Sequence, residues 1–400
     1  MGSDIFFASS SHINRFGYLR RNAALINKIV SSGSAQLIVF RRNPTTNNHE
    51  ILAKDGSIHR ESNWGDLLNT WGQWNAMELK EWCDWSKKWG KIVWLGIDEQ
   101  CNLLNYNEKK LFKDDEHSIE GIPIFAIDIT QSLDLQNKIE KLISDKDSNA
   151  YWVAGVAGVL KLSNEQATLF SYARMMLDFV VKHEFCPGCG GHMTTRDAGS
   201  RLVCLKDNGD CNVGGSNNVL FPRTDPVVII ALRDENNILL GHNARRHKAQ
   251  PTISKVTVDG VEIEETKYTK FYSCFSGFME PGESFEQACV REVYEETGVK
   301  LLASDVRIVE SQPWPFPSNL MVGCVGVVKG DQILNTELDG ELEDVRWFDA
   351  NSVLDKKGVL QVGPVVDGKR KVIEWITPQT ESVAGRIINK IAEECSKSKF

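Results

Sequence analysis

Apolar residues recur along this chain with two different periods, and the changes of period divide it. Short branched or aromatic runs at Gln36–Phe40, Ile92–Leu95 and Pro123–Ile127 predict buried strands of an α+β domain in the first 160 residues. The period then lengthens. Phe170, Ala173, Leu177 and Val181 share one face of a helix, which Ser163 and Gln166 open as a capping box. From residue 227 the pattern is strand-rich again. Val227–Leu232 and Ile238–Leu240 flank a turn at Asp234–Asn237 and predict a hairpin, with further strands at Phe271–Phe275 and Leu320–Val328. Val383, Ile387, Ile388 and Ile391 predict a closing amphipathic helix. The second half therefore reads as a helix-bearing mixed sheet, an α-β-α sandwich.

One polar segment interrupts this pattern in a way that a solvated surface does not explain. Residues 277–299 read GFMEPGESFEQACVREVYEETGV. Pro281-Gly282 is a turn signal, Ser284 and Gln287 form a capping box, and Gly298 stands where a helix closes. On the resulting helix, about 285–297, Glu292, Glu295 and Glu296 lie three and four residues apart and share one side. Like charges at that spacing repel, and Arg291, with Glu283 as its obvious partner, neutralises only part of them. A face of this kind suits a hard divalent cation, Mg²⁺ or Mn²⁺.

Composition sets the bounds. Four hundred residues exceed one typical core and predict two or three domains. The net charge of -8 gives no global basic footprint for nucleic acid; Arg245-Arg246-His247-Lys248 is a short basic run at most. The longest membrane-span candidate, Tyr151–Leu160, is short and broken by Gly155 and Gly158, so no membrane association is expected. The N-terminus carries no apolar signal-peptide core. Seven of eleven tryptophans (Trp64, Trp71, Trp74, Trp82, Trp85, Trp89 and Trp94) fall between residues 64 and 94, where packing is the simplest role.

Six of the ten cysteines are scattered, which suits a reducing compartment. The other four, Cys186, Cys189, Cys204 and Cys211, fall within 26 residues and pair as a metal knuckle with a second, wider pair. A structural Zn²⁺ fits them; His183 and His192 are nearby substitutes, and a redox C-x-x-C leaves the second pair unexplained. Further on, Ser311–Asn319 read SQPWPFPSN. Three prolines predict an extended loop presenting Trp314 and Phe316, either to stack a planar ring or as a structural turn.

The segment 277–299 resembles the Nudix box, G-x5-E-x7-R-E-U-x-E-E-x-G-U with U a bulky aliphatic, matched at Gly277, Glu283, Arg291, Glu292, Val293, Glu295, Glu296, Gly298 and Val299. A cysteine quartet, then the box, then SQPWPFP resembles the layout of the NADH pyrophosphatase (NudC-like) family, over roughly residues 150–395 and closest to its fungal members. The resemblance implies a diverged, non-catalytic Nudix-like domain over 1–160, a connecting helix and zinc ribbon over 161–223, and a catalytic Nudix domain over 224–400. It implies hydrolysis of NADH, and more weakly NAD⁺, to NMNH and AMP, or removal of an NAD cap from RNA, by a homodimer. A silent NAD(H)-binding module is the remaining alternative, against which the intact box argues.

Residue by residue, the resemblance implies Glu292, Glu296 and Glu341 as metal ligands with the carbonyl of Ser276, and Glu295 as the first candidate general base. Arg291 would orient a carboxylate, with Glu283 as its partner. Phe221, Phe278, Gln312, Pro313, Trp314, Pro315, Phe316, Pro317, Ser318, Asn319 and Ala384 match substrate-contacting positions, and Cys186, Cys189, Cys204 and Cys211 match the zinc ligands. The widened second zinc pair departs from the family pattern, as does Ser276 where some members have Ala. The end Ser398-Lys399-Phe400 differs from the peroxisomal address S-K-L in its last residue. Peroxisomal residence is the expectation, with the cytoplasm as the alternative.

Overall fold

In the computed structural model the described residues are 6–8, 13–31, 34–46, 49–54, 57–58, 60–61, 91–100, 110–113, 117–145, 148–206, 211, 213, 218–243, 245 and 250–397. Six of the tryptophans (Trp64 to Trp89), Arg246-His247-Lys248 and Ser398-Lys399-Phe400 lie outside the described residues. The chain forms two compact units, Met1–Thr224 with Trp314–Ser318, and Asp225–Pro313 with Asn319–Phe400.

The first unit is built on a nine-stranded sheet. At its centre Ser118–Asp128 runs parallel to Gln36–Arg42 and antiparallel to Lys91–Asp98. The apolar runs are continuous because both faces of the sheet are covered. Leu37 and Val39 point into one core with Leu25, Ile29, Leu135 and Ile139, from the helices Ala23–Ser31 and Leu133–Ser144. Ile38 and Phe40, one residue out of phase, meet Phe170, Ala173 and Leu177 on the helix Asn164–Lys182. Ser163 accepts a hydrogen bond from the N–H of Gln166 at 3.3 Å, but the reciprocal half of the expected capping box is missing, since Gln166 Oε1 is buried without a partner.

The second unit is centred on Asp225–Arg233, which runs parallel to Asn319–Val327 and antiparallel to Asn237–His242 and Phe275–Phe278 in a ten-stranded sheet. The helix Phe285–Thr297 covers one face, burying Ala288, Cys289 and Val293 with Val228, Ile230, Val322 and Cys324. The helix Val383–Lys397 takes the opposite face: a Cβ at Gly323 would stand 2.6 Å from Val383 and 2.9 Å from Ile387. This is the layered sandwich expected from the periodicity. Among the described residues, no helix is long and apolar enough to cross a membrane.

Candidate active site

The site grows from the start of one helix. Ser284 accepts from the N–H of Gln287 (3.3 Å), and Gln287 Oε1 accepts from the N–H of Ser284 (2.9 Å), so the full capping box forms here. Gly298 closes the helix at a φ of 73°. With both ends fixed, the rotation of every carboxylate on the helix is fixed too.

Arg291 is the hub. It donates to Glu283 from Nε (2.7 Å) and Nη2 (3.0 Å), to Glu292 (2.7 Å) and Glu295 (3.1 Å) from Nη1, and to the carbonyl of Phe278 (2.9 Å). The guanidinium thus ties the helix to the strand Phe275–Phe278 and holds the Glu283 carboxyl below its usual range.

Glu292 and Glu296 are in a different condition. Glu296 is 5 % exposed and accepts one long bond, 3.3 Å, from the N–H of Ser276. Burial pushes its pKa up to about 8, and the charges of Glu292, Asp339 and Glu341 push in the same direction. Burial also raises Glu292, against the pull of Arg291. Two helix carboxylates therefore sit half-desolvated within the field of a third and a fourth on the loop before strand Asp344–Asp349, with Arg291 as compensation on one side. An all-oxygen donor set with surplus negative charge fits a hard divalent cation. Glu295 is about half exposed at the solvent edge of this group. Asp339 went unnoticed in the sequence, because nothing in its surroundings marks it; its side chain accepts from the N–H of Glu341 (2.9 Å) and so shapes the loop that carries Glu341.

Gly277 has a steric explanation. A Cβ there would lie 2.0 Å from the carboxyl carbon of Glu292, so only glycine lets this carboxylate lie against the strand. Gly277→Ala is expected to push Glu292 aside and lower kcat about 100-fold, the scale of a 1 Å misplacement. Circular dichroism should stay native, so a normal rate in the folded variant would contradict this account.

The elevated Glu296 pKa carries a pH signature in metal-free protein. Its folded value lies above the unfolded value, so the native state holds the proton more tightly between about pH 4.5 and 8. Stability from this group is present below that window and is lost as pH rises through it, on the order of 5 kcal/mol. Thermal unfolding in EDTA should show the decline, and Glu296→Gln should flatten it.

The other expected contacts divide. Phe278 is 58 % exposed and, in the first unit, Phe221 is 65 % exposed, so both rings present open faces. Gln312 is fully buried; its amide donates to the carbonyl of Glu381 (2.8 Å) and accepts from the N–H of Val383 (2.9 Å), fixing the start of the C-terminal helix. Ala384, also buried, lies on that helix. The expected extended loop is a strand end and a turn: Val306–Trp314 continues through Gln312 and Pro313, and residues 315–318 turn into Asn319–Val327. Within the first unit Trp314 packs edge-on to Phe7 (5.7 Å between ring centres) and to Phe316 (5.5 Å). Phe316 meets Phe170 at 6.1 Å, and Arg174 donates to the carbonyl of Pro315. Ser318 donates to the carbonyl of Arg223 (2.6 Å). These aromatic faces are engaged in packing, as in the structural-turn reading.

The four cysteine sulfurs lie within 4.8 Å of one another. Tetrahedral Zn–S bonds of about 2.3 Å place sulfurs roughly 3.8 Å apart, so the quartet fits that ion. Cys189 and Cys204 stand 3.5 Å apart, well beyond a disulfide. The knuckle is made by Gly190 N–H to the carbonyl of Cys186 (2.9 Å) and Cys186 N–H to that of Gly191 (2.7 Å). Asn218 donates to Cys211 Sγ at 3.0 Å and to the Cys211 carbonyl at 3.1 Å, and its own carbonyl accepts from the N–H of Cys204 (3.3 Å), which ties Cys211 to Cys204. His183 is turned to the carbonyl of Phe179 (2.8 Å), and His192 stacks on Phe185.

Residues 222–376 match the family model for the NUDIX domain. Over 98% of this chain and 97% of the relative, the sequence is 30% identical to the NAD-capped RNA hydrolase NPY1 of Saccharomyces cerevisiae. It is 31% identical to the NAD-capped RNA hydrolase of Schizosaccharomyces pombe over 87% of this chain and 84% of that protein. The NAD-capped RNA hydrolase NudC of Vibrio atlanticus is 34% identical over 48% of this chain and 56% of its own length. Nudix hydrolases use divalent metals, in keeping with the carboxylate cluster. The chain belongs to the NADH pyrophosphatase (NudC-like) family of Nudix hydrolases and is an NAD-related diphosphatase.

Proposed function

We propose that this enzyme hydrolyses the pyrophosphate of NADH, and of NAD⁺ more weakly, to AMP and the corresponding nicotinamide mononucleotide. The observation that carries this reading is the pair Glu292 and Glu296, buried against Ser276 and Gly277 with their proton affinity raised. Glu292, Glu296, Glu341 and the carbonyl of Ser276 would hold Mg²⁺ or Mn²⁺. Bound there, the cation would neutralise phosphate oxygens and acidify an attacking water. Glu295, at the solvent edge, would take the proton of that water, and Arg291 keeps Glu283, Glu292 and Glu295 in place. Phe278, on the strand beside this cluster, offers an exposed ring for a base of the substrate. Cys186, Cys189, Cys204 and Cys211 would hold a structural Zn²⁺.

A second reading uses the same bond and residues: removal of the NAD cap from RNA 5′ ends. It is favoured by the relatives from Saccharomyces cerevisiae, Schizosaccharomyces pombe and Vibrio atlanticus, all NAD-capped RNA hydrolases by name. Purified enzyme assayed side by side on NADH, NAD⁺, ADP-ribose and NAD-capped RNA separates the two. A kcat/KM for capped RNA at least tenfold above that for NADH would displace the first reading. Inactivity on all four would remove both and leave a binding module. A homodimer in the peroxisome completes the proposal; sedimentation tests the first part, and relocation on masking Ser398-Lys399-Phe400 with a C-terminal tag tests the second.

A further inference from the structure

The first unit contains a charged cavity that plays no part in this chemistry. It measures about 180 Å³ and is lined by Arg42, Lys91, Asp128, Thr130, Gln131 and Val181. The lining comes from the ends of three central strands, the turn after one of them and the helix Asn164–Lys182, all within the first unit. Such a volume is smaller than the roughly 300–1,000 Å³ of pockets for drug-sized ligands, so it takes one small group.

Two groups in its wall are left incomplete. Asp128 is 3 % exposed; its Oδ1 accepts from the N–H of Thr130 (2.9 Å), while Oδ2 is buried with no hydrogen-bond partner. Arg42 gives Nε to His49 Nε2 at 2.9 Å, and no carboxylate among the described residues lies within 4.0 Å of its guanidinium. A buried acceptor and a half-buried cation thus face one space without meeting across it. Buried polar groups are ordinarily satisfied, and an exception asks for an occupant. That occupant has to offer an anionic acceptor to Arg42 and a donor to Asp128.

The surrounding charge indicates which anion. Lys91 lines the cavity with its ammonium 3.3 Å from Glu184, and Lys182, next in sequence to Val181, pairs with Asp178 at 2.8 Å. Arg174, Arg42 and Lys182 together act on His49, whose pKa burial and these cations lower to about 3, so it stays neutral and accepts from Arg42. Two cations in the cavity wall, Arg42 and Lys91, suit the double charge of a phosphate monoester better than a single carboxylate, and an arginine fork matches phosphate geometry.

We infer that this cavity binds a small phosphorylated sugar, with the phosphate on Arg42 and Lys91 and a sugar hydroxyl donating to Asp128 Oδ2. A free pentose 5-phosphate and a mononucleotide carry the same group, and the chemistry at the cavity is the same. The site is separate from the carboxylate cluster of the second unit, so its failure would leave the proposed hydrolysis untouched.

Isothermal titration of the full-length protein in EDTA, with ribose 5-phosphate, AMP and inorganic phosphate as separate ligands, tests this. Ribose 5-phosphate is expected to bind at least tenfold more tightly than inorganic phosphate. AMP binding as tightly as ribose 5-phosphate would identify a mononucleotide as an accepted source, and AMP failing to bind would restrict the site to the free sugar phosphate. Arg42→Gln should weaken ribose 5-phosphate at least tenfold, and Asp128→Asn several-fold, with NADH hydrolysis by Arg42→Gln unchanged. Val181→Phe, which fills the space without altering charge, should abolish binding and guards against a charge variant that fails to fold. No binding of ribose 5-phosphate, or equal binding by wild type and a folded Arg42→Gln or Val181→Phe, overturns the inference and leaves a water-filled cavity.

Discussion

Glu296→Gln is expected to lower kcat for dinucleotide hydrolysis about 10³-fold, a loss of roughly 4 kcal/mol of transition-state stabilisation. The substitution keeps size and shape, and the N–H of Ser276 can still donate to the amide oxygen. What disappears is the negative charge that the buried position keeps at a cost. Ionised and without a cation, Glu296 is opposed by its burial and by Glu292, Asp339 and Glu341. The variant should therefore be at least as stable as wild type in EDTA at pH 8, while wild type should gain more from added Mg²⁺ or Mn²⁺. A paired rise in metal-free stability and fall in activity distinguishes a metal ligand from a packing residue. Stopped activity with lost stability would point to the latter.

The second large effect is expected at the cysteine quartet. Cys204→Ser, or exhaustive chelation, should destabilise the first unit by about 3 kcal/mol or more, since metal binding free energy in such modules is folding free energy. Cys186, Cys204 and Cys211 are buried in the same apolar cluster as Phe170 and Leu177, so loss of the quartet should reach the helix beneath it. Elemental analysis should find one zinc per wild-type chain and none in the variant. Zinc-free protein with an unchanged unfolding midpoint would contradict a structural role.

The sequence revealed the elements where the physical signal is local. The box helix has both its caps written in Ser284, Gln287 and Gly298, and its ends fall at Phe285 and Thr297. The partner of Arg291 was likewise legible, because a fixed cation eight residues from Glu283 on a capped helix has few places to reach. The strand Thr252–Val258 was not legible, and of Val261–Ser273 only the end from Phe271 was, where the expected strand Phe271–Phe275 breaks at Cys274 into two. They are rich in Glu, Lys and Thr, the first largely exposed and the second mostly half-buried, and neither shows the clear apolar alternation that marks a strand in sequence.

The turn 315–318 shows a different limit. Prolines and aromatics announced a stiff segment, but whether Trp314 and Phe316 face a ligand or a core depends on Phe7 and Phe170, distant in sequence. Gln312 is a similar case: its polarity suggested substrate, and its burial assigns the amide to the end of a helix. Asp339 and the reason for Gly277 emerged only from packing, since both concern where Glu292 and Glu296 lie in space.

The central claim is that the carboxylates of the box helix direct cleavage to the pyrophosphate of a nicotinamide dinucleotide. Its most direct test is mass spectrometry of the products formed from NADH by the purified enzyme, with Mg²⁺ or Mn²⁺ and with EDTA. The account predicts NMNH and AMP in equal amounts with the cation and neither in EDTA. Cleavage at the glycosidic bond, releasing the nicotinamide ring and ADP-ribose, or turnover indifferent to EDTA, would contradict it.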